Sequence, residues 1–104
     1  MANDICQYFY KITLITPAGK RYGHLQMEVE RGVISGCVDI LKHKSDISGQ
    51  VLDHGKCRLT GTLISLMQKV AYTAVGHFDS QRIELTLEGT RNHYHLTGIA
   101  ARRN

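Results

Sequence analysis

The segment NHYHL places His93 and His95 two residues apart, the spacing at which one face of a β-strand presents two imidazoles to a single metal ion. A third ligand would have to come from a neighbouring strand, and no spacing supplies one, so exposed strand histidines are expected and no metal. Cys6, Cys37 and Cys57 lie far apart without a CxxC pair. They read as reduced thiols acting as small hydrophobes, the cytosolic pattern, not as a disulfide framework. Ser35 and Ser48 belong to no GxSxG elbow, and the core-facing positions derived below carry no Asp, Glu, Lys or Arg for an acid–base pair. The chain is therefore not expected to be an enzyme, and no cofactor is expected.

The five tyrosines carry more information than the two phenylalanines. Tyr8, Tyr10, Tyr72 and Tyr94 fall on the inward register and Tyr22 does not. An inward tyrosine either finds a structural hydrogen-bond partner or lines a cavity.

Strands must position these side chains, because alternation dominates the sequence. Tyr10, Ile12 and Leu14 share a face in YKITL, Leu25, Met27 and Val29 in HLQMEVE, and Ile83, Leu85 and Leu87 in RIELTLEG. One apolar and one polar face means antiparallel strands over a core. Turn signals divide the chain into eight strands, about 6–16, 21–30, 33–42, 45–53, 57–66, 69–78, 81–90 and 93–101, with one turn near His43–Lys44. Inward positions are even in strand 1, odd in 2, even in 3, odd in 4 and 5, even in 6, odd in 7 and even in 8. Each change agrees with the length of the intervening loop. The predicted fold is all-β: an eight-stranded antiparallel up-and-down (meander) β-barrel, closed or nearly closed, filling residues 1–104 as a single domain.

Of ten glycines, Gly19, Gly32 and Gly55 fall in turns, where positive φ is useful. The other seven, Gly23, Gly36, Gly49, Gly61, Gly76, Gly89 and Gly98, fall one in each of strands 2 to 8 on the inward face, as strongly curled strands require. The expected pairing sets Gly89 opposite Tyr94 and aligns Gly49, Gly61 and Ala74 across strands 4 to 6. That strip is filled either by large residues of the opposite wall, such as Tyr10 or Met27, or by a small ligand.

The topology and the recurring [IL]-[ST]-G rhythm (ISG at Ile34 and Ile47, LTG at Leu59 and Leu96) resemble compact meander barrels of the avidin and lipocalin-like (calycin) kind. The chain has no Trp and no GxW signature, so no family site carries over. The resemblance implies an architecture that often holds a small apolar molecule at one mouth.

The expected function is a non-enzymatic binding module for a small apolar or amphipathic ligand inside the barrel. Its candidate lining is Tyr10, Met27, Tyr72 and Tyr94 with Gly49, Gly61 and Ala74. The alternative is a protein-interaction or regulatory role on an outer face. Ile64, Leu66, Ala71 and Val75 are the candidate interface on strands 5 and 6, and Phe9, Ile15 and Ile99 form a second apolar group on strands 1 and 8. Clusters of this kind suit a homodimer. Thirteen scattered Lys and Arg against nine Asp and Glu give a net charge of +4, so nucleic acid is a distant third partner, through Arg58, Lys42, Lys44, Arg102 and Arg103. With no apolar run long enough to span a bilayer, and MANDICQYFYK lacking the pattern of a signal peptide, no membrane is expected and the expected location is cytoplasmic.

Overall fold

The computed structural model describes residues 5–64, 69–89 and 93–101, His54 by its backbone alone. Eight strands follow one another: β1 (Ile5–Thr16), β2 (Gly19–Glu30), β3 (Val33–Ile40), β4 (His43–Val51), β5 (Lys56–Ile64), β6 (Lys69–Phe78), β7 (Arg82–Glu88) and β8 (His93–Ala100). A 3₁₀ turn, Asp53–Gly55, joins β4 to β5. Each strand pairs antiparallel with the next, and β1 pairs with β8, so the meander closes into a barrel. Among the described residues no helix is long and apolar enough to cross a membrane.

Closure follows from the alternation. The inward set is buried, including Tyr10, Ile12 and Leu14 of β1, Leu25 and Met27 of β2, and Ile83, Leu85 and Leu87 of β7. These side chains belong to one hydrophobic cluster, and among the described residues none of its buried members is polar or charged apart from the tyrosine hydroxyls. Removing such a side chain from water contributes about 1.5–3 kcal/mol, so the face assignment of each strand is strongly fixed.

Cross-strand rows show how the interior is filled. Ile83, Gly98, Ile12, Gly23 and Ile40 stand side by side across β7, β8, β1, β2 and β3. Met27, Gly36, Ile47, Gly61 and Tyr72 do the same across β2 to β6. Large residues alternate with glycine because a narrow barrel cannot hold a large side chain from every strand in one layer. A Cβ on Gly98 would stand 2.8 Å from Ile12 Cγ2 and 2.9 Å from Ile83 Cγ2, and one on Gly23 would run into the Asp39 carbonyl oxygen.

Several expectations are corrected. The β3–β4 turn is Leu41–Lys42, with Ile40 paired to His43, rather than a break near His43–Lys44. Leu41 and Lys42 adopt φ of 58° and 64°, a left-handed conformation that their residue types do not announce. Likewise β2 starts at Gly19, β4 ends at Val51 and β7 ends at Glu88, leaving Gly89 beyond its strand. Gly49 pairs with Leu59 and Gly61 with Ile47 and Tyr72, so the Gly49–Gly61–Ala74 strip does not align. Leu87, not Gly89, stands opposite Tyr94. Each register differs from expectation by two residues, a slide that leaves every side chain on its own face. Leu66, Arg102 and Arg103, and the turns expected at 67–68 and 91–92, lie outside the described residues.

Candidate functional site

Inside the barrel, Met27, Gly61 and Tyr72 share one cross-strand row, Gly49 and Ala74 flank Leu59 in another, and these residues are packed against their neighbours. Leu59 stands between Gly49 and Ala74, and the Tyr72 ring covers Gly61, its hydroxyl 2.6 Å from where a Cβ would be. Met27 is fully buried. Tyr10 and Tyr94 belong to opposite ends: Tyr10 pairs with Ala100 on β8, six residues beyond Tyr94, or about 20 Å along the strand.

Tyr10 anchors an aromatic group at its end. Tyr8 stacks on Tyr10 with centroids 6.2 Å apart and meets Phe78 edge-on at 5.2 Å. The Tyr10 hydroxyl donates to the Asp79 carbonyl oxygen at 2.5 Å, fastening β1 to the β6–β7 turn. In that turn the exposed Asp79 carboxylate accepts from the Gln81 and Arg82 backbone N–H groups at 2.7 and 2.9 Å, which holds its carboxyl below the usual range. Burial, with smaller contributions from Tyr8 and Asp79, raises the Tyr10 phenol, and burial pushes the Tyr72 phenol up to about 12 and the Cys57 thiol up to about 11. All three are therefore neutral at physiological pH, as packed core groups and not as nucleophiles.

The remaining chemistry-bearing residues of the sequence stand apart. His93 and His95 are exposed on β8, His93 Nδ1 3.9 Å from Glu88 Oε1. Among the described residues no three His, Cys, Asp or Glu side chains converge. Ser35 and Ser48 face each other on the outer side of β3 and β4. On β5 and β6, Ile64 is opposite Lys69, Ala71 opposite Thr62 and Val75 opposite Arg58, so polar residues interrupt that apolar group.

The concave surface lies on the outside. Outward residues Arg82, Ile99, Lys11, His24 and Asp39 form one row across β7, β8, β1, β2 and β3. Glu84, Thr97, Thr13 and Tyr22 form the next. Together with the Leu41–Lys42 turn they line a groove of about 1130 Å³. Its floor follows the Ile83–Gly98–Ile12–Gly23–Ile40 row, where bare glycines let the wall draw inward. A twisted barrel is a hyperboloid, concave along its outer surface at the waist, and a glycine-rich layer deepens that waist.

Groove chemistry is mixed. Tyr22 and Ile99 are each 71% exposed, large apolar side chains standing in water. Lys11, Lys42 and Arg82 supply cations, and among the described residues none forms an ion pair. Of the two carboxylates, Glu84 lies 3.6 Å from His77 and Asp39 stands opposite Lys44. Phe9 stacks against His24, centroids 5.4 Å apart. Sequence reading singled out Ile99 as part of an outer apolar group and Lys42 as one scattered cation. It missed Lys11, Tyr22, His24 and Arg82, which gather only once the registers across five strands are known.

Fold and groove together define a closed eight-stranded antiparallel meander barrel with a concave outer waist. Compared with known proteins, the chain matches no family model, no curated protein and no solved structure.

Proposed function

We propose that the protein is a non-enzymatic binding module whose ligand, an anion with an apolar or aromatic body, lies in the waist groove outside the barrel. The observation that carries this reading is the juxtaposition of Lys11, Lys42 and Arg82 with exposed Tyr22 and Ile99 in one concavity. Binding is favoured over catalysis because the titratable groups of the groove are solvent-exposed and spread over four strands and the Leu41–Lys42 turn, whereas acid–base chemistry needs them converging on one atom. The closed meander also supports an architectural kinship with avidin-like and lipocalin-like barrels. That analogy places a ligand in the interior, where Tyr72, Leu59 and the Tyr8–Tyr10–Phe78 group already stand.

Fluorescence titration with anilinonaphthalenesulfonate, an aromatic anion, tests the reading. Lys11→Glu and Ile99→Asp each weaken binding about tenfold, a change of about 1.4 kcal/mol, while Lys69→Glu on β6 leaves it unchanged. Binding indifferent to the two groove substitutions, or no binding, contradicts it.

A further inference from the structure

We infer that the waist groove takes single-stranded nucleic acid, an inference that rests on the groove reading above and names its ligand class. Three observations carry it.

The first is the distribution of cations. Arg82 and Lys11 stand two strands apart in the same row, about 10 Å between their backbones, and Lys42 projects from the turn at the far wall. A small anion needs its cations converging on one point; cations spaced along a groove suit a chain of phosphates. Asp39 and Glu84 line the same groove, so three cations against two carboxylates leave it one net positive charge, and among the described residues neither acid forms an ion pair with Lys11, Lys42 or Arg82. Asp79, in the β6–β7 turn, takes hydrogen bonds from backbone N–H groups and also feels the Arg82 charge.

The second is the presence of flat rings among the cations. Tyr22 opposes Thr13, two residues along β1 and β2 from the Lys11–His24 pair and on the same face, with most of its surface in solvent. His24, already stacked on Phe9, presents a second flat group. Base–aromatic stacking is tolerant of sequence, and a positively charged groove with exposed rings is the general means of holding unpaired bases. A duplex hides its base faces and has nothing to offer Tyr22.

The third is the cost of the turn that carries Lys42. Two consecutive non-glycine residues in the left-handed region cost about 1–2 kcal/mol each, and Leu41 of the pair packs against the core. Strain of this kind persists where the surrounding structure fixes it, here the two-residue β3–β4 connection and the packed Leu41, and the turn so held sets a lysine on the groove wall.

The test is fluorescence anisotropy with a labelled single-stranded oligonucleotide of about twelve nucleotides, in deoxythymidine and uridine forms, beside a duplex of equal length. Three neutralised phosphates give a salt slope of about −2, so binding weakens about 20-fold between about 50 and 200 mM salt. Lys11→Ala with Arg82→Ala lowers affinity about tenfold or more, Tyr22→Ala lowers it about tenfold, and Lys56→Ala with Lys69→Ala changes little. Circular dichroism checks that each variant is folded. No binding at about 50 mM salt, equal or tighter binding of the duplex, or equal loss with Lys56→Ala and Lys69→Ala overturns the inference. If anilinonaphthalenesulfonate binds and responds to the groove substitutions while oligonucleotides do not bind, the groove reading stands and the nucleic-acid inference falls. If neither probe binds, both fall.

Discussion

Tyr72 lies directly opposite Gly61 in the β5–β6 pairing, its hydroxyl 2.6 Å and its ring Cζ 2.8 Å from where a Cβ on Gly61 would stand. The glycine is the space that the ring occupies, so the two residues form one packed unit. Gly61→Ala is expected to destabilise the barrel by about 1–3 kcal/mol through overpacking. In a Tyr72→Leu background the same change costs less, with a coupling of about 1 kcal/mol read from urea unfolding of the four variants. Additive effects would mean that the ring does not rest on Gly61.

The Leu41–Lys42 turn sets stability against binding. Lys42 has a φ of 64°, where glycine carries no steric penalty. Lys42→Gly is expected to stabilise the fold by about 0.5–1 kcal/mol, raising Tm by about 4 °C, after allowing for the greater chain entropy of glycine. The same change removes a groove cation and weakens anion binding. A variant that is both less stable and unaltered in binding would contradict the role given to this turn.

Alkaline pH should loosen the core in a defined window. Burial holds the Cys57 thiol at about 11 against an ordinary 9.0, and the Tyr72 phenol at about 12 against 10.0. Both are neutral in the folded state and lose a proton more readily when unfolded. Their stabilising effect is therefore complete below about pH 9 and is lost as pH rises through 9 to 11 for Cys57 and 10 to 12 for Tyr72. Urea midpoints measured across this range are expected to fall, with Cys57 alone accounting for about 3 kcal/mol. Cys57→Ala should flatten the first part of the decline. An identical profile in that variant would place the titration elsewhere.

The faces of the strands were legible in the sequence, and so was the β2–β3 register set by the Arg31–Gly32 turn, but several other registers were not. Alternation has a period of two, so the parity of Tyr10, Ile12 and Leu14, or of Ile83, Leu85 and Leu87, fixes which side chains enter the core. It is blind to a slide of two residues. Only turn geometry removes that freedom. At Leu41–Lys42 the turn carries no Gly, Asn or Asp to mark it, and between β4 and β5 a 3₁₀ turn lengthens the connection. Slides of two residues moved Gly61 away from Gly49 and set Tyr72 over it. They also hid the groove, because Arg82, Ile99, Lys11 and His24 come from four strands distant in sequence and become neighbours through pairing alone. Ile99, as part of an outer apolar group, and Lys42, as a scattered cation, were its visible signs.

Amide chemical-shift mapping tests the outer groove most directly, with anilinonaphthalenesulfonate and the single-stranded oligonucleotide titrated separately into labelled protein. The groove reading predicts shifts that cluster at Lys11, Thr13, Tyr22, His24, Thr97 and Ile99, while the amides of Gly49, Gly61 and Ala74 on β4, β5 and β6 stay in place. Shifts centred on Gly49, Gly61 and Ala74, with the β8–β1–β2 rows unmoved, would contradict it and return the ligand to the barrel interior.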